Sequence, residues 1–136
     1  MSTHLKEKED KILEIIAQLC AESSRGTSIL VEGRKDVEAL RNLGVVGRIF
    51  SVKTGGKSMV QTLVEIEEAR ISEIILLLDF DEQGRKMTRR LKEDFERIRI
   101  KSNLHFWSAL QGILGREVQC VEGIQAYLIT LRRKLE

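Results

Sequence analysis

Three carboxylates at the ends of two apolar runs are the residues best placed to do chemistry. Glu32 follows Ile29-Leu30-Val31 and leads into Gly33-Arg34-Lys35-Asp36. Asp79 and Asp81 follow Ile74-Ile75-Leu76-Leu77-Leu78, with Phe80 between them. Carboxylates gathered in one place repel one another unless a cation sits among them. Mg²⁺ suits them, with Mn²⁺ as the alternative. Such an ion takes one or two protein carboxylates and completes its shell with water and phosphate oxygens. The chemistry this predicts is metal-assisted attack on phosphate, in which the protein positions groups and neutralises charge. Glu32 would take or give a proton there if neighbouring carboxylates raise its pKa.

Glu32, Asp79 and Asp81 converge only if the runs that carry them are neighbouring strands. Continuous apolar runs of this kind read as strands buried on both faces, the habit of parallel sheets. In an open α/β sheet ligands bind beyond the carboxyl ends of the strands, the edge at which these carboxylates emerge. The rest of the chain supplies helices as crossovers. Ile12, Ile15, Ile16, Leu19 and Cys20 recur at helical spacing and predict a first helix over 5–22, packed on the domain. A strand follows over 27–32, then a short helix carrying Val37, Leu40 and Leu43 and ended by Gly44. Residues 48–52 read as a second strand and 53–56 as a loop. A helix over 57–70 places Val60, Leu63, Val64 and Glu67 on one stripe. The third strand covers 73–79, and Met87, Leu91, Phe95 and Ile98 predict a helix over 82–97. Leu104, Trp107, Leu110 and Leu114 suggest a further helix, and Ile124, Tyr127, Leu128 and Leu131 a closing one. The fourth strand has two candidate places, 97–101 and 117–121. Alternating strands and helices with short links imply right-handed crossovers and a mainly parallel sheet in one α/β domain. Residues 1–26 form its N-terminal helix and 27–136 its body.

Composition sets outer bounds. The chain has 136 residues, 42% of them hydrophobic and 32% charged, which is one globular domain with a real core. Its formal net charge of +2 leaves any argument for nucleic acid to local clustering. Cys20 and Cys120 have no metal-ligand partners at useful spacing and read as reduced, buried thiols. A charged N-terminal stretch and the lack of any apolar run of membrane-spanning length point to the cytoplasm.

Val31-Glu32-Gly33 with Asp36, followed by Asp79-Phe80-Asp81 and Gly84-Arg85, resembles the Toprim domain. That domain is the catalytic module of topoisomerases, bacterial-type primases, some nucleases and the small ribonucleases that mature 5S ribosomal RNA. The whole chain is similar to the stand-alone small Toprim proteins, many of them archaeal. The resemblance implies a compact Rossmann-like fold with a mainly parallel four-stranded sheet flanked by helices. It implies a general acid or base at Glu32 and Mg²⁺ on Asp79 and Asp81, with Glu32 beside the metal. The expected activity is nuclease or nucleotidyl transfer, with RNA processing as one setting for it. The alternative is a non-catalytic module that binds nucleic acid or recruits a protein partner. Topoisomerase versions carry a further glutamate two positions after the second aspartate, where this chain has Gln83. The Asp-x-Asp-x-x-Gly-Arg form is closer to the primase and ribonuclease versions.

Other readings remain beside it. Asp79 and Asp81 could simply cap the next helix. Asp36 reads as a helix-start residue, and Gly33 as a turn glycine needing backbone freedom. Thr54-Gly55-Gly56-Lys57-Ser58 resembles the end of a P-loop, but the required earlier glycine is Ser51. A P-loop-like nucleotide-binding protein therefore ranks below the Toprim reading, although Gly55, Gly56 and Lys57 could still hold phosphate. Arg34, Lys35, Arg85, Arg89 and Arg90 are the other candidates for binding phosphate, and Gly84 is a further turn glycine. Asn103-Leu104-His105-Phe106-Trp107 could stack a base, yet Leu104 and Trp107 share a core-facing stripe. Tyr127, the lone tyrosine, lies on an apolar stripe, which disfavours a topoisomerase.

Overall fold

The computed structural model describes residues 2–52 and 58–136, without the Ser2 side chain. The loop expected at 53–56 and the phosphate-binding candidates Gly55, Gly56 and Lys57 lie outside the described residues. Helices and strands alternate as α1 (Ser2–Ser24), β1 (Ser28–Val31), α2 (Arg34–Asn42), β2 (Ile49–Ser51), α3 (Met59–Glu68) and β3 (Glu73–Leu76). They continue as α4 (Glu82–Arg97), β4 (Lys101–Asn103), α5 (His105–Leu114), a 3-10 turn (Val121–Gly123) and α6 (Ile124–Leu135). The strands lie in the order β2-β1-β3-β4, and every neighbouring pair is parallel.

The apolar runs are continuous because each strand is covered on both faces. Ile29, Val31, Ile75 and Leu77 face a layer formed by α1, α2, α5 and α6, through Ile12, Leu40, Leu110 and Leu131 among others. Leu30, Ile74, Leu76 and Leu78 face the opposite layer, where α3 and α4 supply Ile66, Leu91 and Phe95. Ile29, Leu30, Ile74, Ile75 and Leu76 are 0% exposed. Each contributes about 1.5–3 kcal/mol relative to an exposed side chain.

Helix ends follow local chemistry. Gly44 ends α2 at a φ of +103°, a backbone that glycine adopts without penalty. Ser58 caps α3: its hydroxyl accepts from Gln61 N–H at 3.2 Å, and the Gln61 side chain accepts from Ser58 N–H at 2.8 Å.

Two expectations need correction. On α3 the inward positions include Thr62 and Ile66, each 0% exposed, whereas Val60 and Val64 are 68% and 45% exposed. Thr62 can be buried because its hydroxyl donates to Ser58 O at 3.2 Å, leaving no unpaired polar atom. The fourth strand is Lys101–Asn103, which overlaps the first candidate place at Lys101 alone. It pairs with Glu73–Ile75, and Asn103 Nδ2 donates to Glu73 Oε2 at 2.9 Å. As an edge strand with one neighbour it needs no apolar run. Residues 117–120 lead into the 3-10 turn instead, and Val121 begins it.

Candidate functional site

The strand order brings the two motifs together. From β1 the chain crosses to β2 on one side, then returns to β3 on the other, so β1 and β3 flank the topological switch point of the sheet. Leu30 pairs with Leu76, and Leu77 N–H donates to Leu30 O at 2.9 Å, which carries Glu32 and Asp79 out at the same edge. Glu32 is buried at 9% exposure, and its carboxylate is within hydrogen-bonding reach of Asp79.

Asp36 opens α2 as expected, its Oδ2 accepting from Gly33 N–H at 3.1 Å. It also turns into the site. The side chain is only 7% exposed, and among the described residues its Oδ1 has no hydrogen-bond partner. One donor atom each from Asp36, Asp79 and Cys120 lie within 4.8 Å of one another. Cys120 thus has the carboxylate neighbours that its sequence spacing did not suggest. It arrives there because Phe80 N–H donates to Gln119 O at 2.6 Å, stitching the α5–α6 connection to the end of β3.

Asp81 stands outside this cluster. It is exposed and caps α4, its Oδ1 accepting from Gly84 N–H at 2.7 Å. Asp81 thus caps α4 through Oδ1 and also lies near enough to Asp79 to raise its carboxyl.

Electrostatics follow from the crowding. Burial pushes the Asp79 carboxyl up to about 7, the Glu32 carboxylate adds to that rise, and Asp36 and Asp81 contribute further. Burial also raises Asp36, opposed by the backbone N–H groups of Gly33 and Glu122. The Cys120 thiol is raised by burial, with Gly123 N–H opposing and Asp79 and Asp36 adding. A site that raises the Asp79 carboxyl to about 7 and, among the described residues, leaves a buried Asp36 oxygen unpaired fits a divalent cation.

The glycines differ in role. At Gly33 the backbone is extended (φ −144°), which any residue adopts, and a Cβ there would meet nothing among the described residues within 4 Å. The expected need for backbone freedom is not what places a glycine at 33. At Gly84 a Cβ would stand 2.0 Å from Asp79 O and 2.5 Å from its carbonyl carbon. Only glycine lets α4 start this close to the Asp79 backbone. Gly84→Ala is expected to cost about 3 kcal/mol or more and to weaken cation binding, because backbone must move. Gly112→Ala, where a Cβ meets nothing within 4 Å, is the control and should stabilise α5 by up to about 1 kcal/mol. Urea unfolding of both variants checks this; equal midpoints would refute it.

Beside the carboxylates α4 and α5 bound a groove of about 650 Å³ lined by Arg85, Arg89, Lys92, Trp107 and Gln111. Trp107 Nε1 donates to Leu78 O at 3.0 Å, which fixes the indole next to the end of β3. With its amide oriented by the hydrogen-bond network, Gln111 accepts from Arg85 Nη2 and Nε at 2.6 and 2.9 Å. Arg90 is exposed but does not line the groove, because Arg85, Arg89 and Lys92 share one helical face and Arg90 lies off it. Arg34 and Lys35 are exposed on the first turn of α2. Among the described residues no helix is long and apolar enough to cross a membrane.

Known proteins are similar to this chain in sequence and fold. The family model for the Toprim domain matches residues 26–104. A UPF0292 protein of Methanocaldococcus jannaschii is 37% identical over 88% of this chain and 91% of its own length. A UPF0292 protein of Methanosarcina barkeri is 31% identical over 95% of this chain and 88% of its own. A solved structure of a protein from Aquifex aeolicus superposes with a TM-score of 0.66 at 26% identity, covering 80% of this chain and 94% of that one. The family match runs from just before β1 to just past β4, so it takes in the whole sheet and both carboxylate-bearing strand ends. This chain belongs to the Toprim domain family.

Proposed function

We propose that this protein is a divalent-metal-dependent enzyme acting on nucleic-acid phosphodiesters, as a nuclease or a nucleotidyl-transfer enzyme. The observation that carries this reading is the meeting of Glu32, Asp79 and Asp36 at the switch point, with Asp36 Oδ1 buried and, among the described residues, unpaired. A purely nucleic-acid-binding surface gains nothing from clustered negative charge. Asp79 and Asp36 are the residues that would hold the cation, with Glu32 beside them. A bound Mg²⁺ or Mn²⁺ supplies charge neutralisation and polarises a phosphate oxygen. Glu32 holds or delivers the proton that the attacking or leaving oxygen must lose or gain. Asp81 holds the start of α4, and Gly84 lets that start lie against Asp79, so both position the site. Arg85, Arg89 and Lys92 draw the phosphate backbone into the groove, and Trp107 offers an aromatic wall for a base.

The deciding experiment incubates the full chain with Mg²⁺ or Mn²⁺ and, separately, structured RNA, single-stranded DNA and supercoiled plasmid. Metal-dependent cutting or joining of at least one substrate, stopped by chelator, is expected. No product on any of them, despite measured cation binding, would favour the binding module.

The groove makes a separate prediction. Replacing Arg85 and Arg89 with alanine should weaken nucleic-acid binding and flatten its salt dependence by roughly 0.7–0.9 in logarithmic slope for each phosphate no longer neutralised. Arg90→Ala should change the slope much less, since Arg90 does not line the groove. Binding isotherms at several salt concentrations test this, and equal effects from all three arginines would count against the groove.

A further inference from the structure

The Toprim match ends at residue 104, and Cys120 lies beyond it. Even so, Cys120 Sγ stands with one oxygen each of Asp36 and Asp79 in a space no wider than 4.8 Å. Three donors around one ion, at ordinary zinc–sulfur and zinc–oxygen bond lengths, are roughly 3.3–3.8 Å apart. Small side-chain rotations therefore close the set. A second observation points to a ligand independently. Asp36, 7% exposed, has an Oδ1 without a hydrogen-bond partner among the described residues, while its Oδ2 is held by Gly33 N–H at 3.1 Å. The side chain is thus anchored by Gly33 N–H, with Glu122 N–H also acting on it, and its Oδ1 makes no hydrogen bond to the described residues although it lies among groups able to ligate. Cys120 is also held from its own side. It precedes the 3-10 turn in extended backbone, and Gln119 before it is bonded to Phe80 at 2.6 Å.

We infer that Asp36, Asp79 and Cys120 form a mixed oxygen–sulfur site that takes Zn²⁺ in preference to Mg²⁺. This rests on the reading that the carboxylates hold a divalent cation, and it adds the thiolate. Mg²⁺ gains almost nothing from sulfur, whereas borderline-soft Zn²⁺ does. Three protein donors leave a fourth position open, the pattern of catalytic zinc sites rather than closed structural ones. Uptake of the ion releases the thiol proton to solvent.

Co²⁺ is the probe, because a cysteine thiolate bound to it gives a near-ultraviolet charge-transfer band. The titration uses the full chain carrying Cys20→Ala, so that Cys120 is the one thiol. Cys20 lies on α1 with its Sγ donating to Leu43 O at 3.6 Å, and its loss leaves the site intact. The band should appear, Zn²⁺ should abolish it, and millimolar Mg²⁺ should not. Adding Cys120→Ser should remove the band and weaken Zn²⁺ binding at least tenfold, with Mg²⁺ affinity held within about twofold. In the Cys20→Ala chain Zn²⁺ should also protect Cys120 from iodoacetamide, a readout that needs no second variant. Co²⁺ binding without the band, or a band that survives Cys120→Ser, would overturn the inference and leave the carboxylate reading standing. Absence of both Co²⁺ and Mg²⁺ binding would overturn both.

Discussion

Replacing Glu32 with glutamine is expected to lower turnover by about two to four orders of magnitude on whichever substrate proves active. Glutamine keeps the size and shape of the side chain but cannot accept a proton as a carboxylate does. Glu32 is nearly buried beside Asp79 at the switch point, so a substrate phosphate held there would lie within its reach. Substrate affinity should hold or rise slightly, because one negative charge near the phosphates is gone. The arginine variants should show the reverse, with weaker binding and nearly unchanged turnover at saturation. Single-turnover rates together with binding curves separate the two effects. A Glu32→Gln chain that binds more weakly but reacts at the original rate would make Glu32 structural and move the binding-module reading ahead.

Asp79→Asn should abolish the response to Mg²⁺ and, without metal, stabilise the fold at alkaline pH. The sign follows from proton linkage. Asp79 titrates at about 7 in the fold, against an ordinary value of 3.8. Between those values the folded chain keeps a proton that the unfolded chain has released. Stability from the neutral carboxyl is therefore complete below about pH 4 and lost as pH rises through about 7. Asparagine stays neutral throughout, so the variant escapes that loss. Asp79 is partly open to solvent, and the effect discounted for screening is about 1 kcal/mol, or roughly 3–5 °C in Tm at pH 8. The difference should vanish near pH 4. Mg²⁺ at a hundred times its Kd should then stabilise the original chain by about 2.7 kcal/mol and the variant hardly at all. Melting curves at three pH values, with and without Mg²⁺, test both halves. Equal Mg²⁺ responses from the two chains would remove Asp79 from the cation site.

The sequence alone determined the buried strands and helix α4, which rest on local pattern. The runs before Glu32 and Asp79 are apolar at every position because parallel strands are covered on both faces, and β1 and β3 are covered in that way. Helix α4 spans Glu82–Arg97, the range that Met87, Leu91 and Phe95 imply, because its buried face repeats at helical spacing. Capping of α4 by Asp81 through Gly84 N–H is also a local pattern, which the sequence offers as the alternative beside the metal-ligand reading.

Tertiary structure decided what has no local pattern. Lys101–Asn103 is polar and pairs with β3 alone, so no hydrophobic run announces it. Thr62 is buried in place of Val60 or Val64 because packing and one hydrogen bond to Ser58 outweigh side-chain polarity. Asp36 carries a helix-start role that can be read from spacing, but its unpaired Oδ1 depends on which neighbours close over it. Cys120 reaches Asp79 through the stitch between Phe80 and Gln119 and the fold of the α5–α6 connection. A donor set drawn from three separate stretches of chain carries no spacing signal, because distance along a chain does not report distance across a folded one.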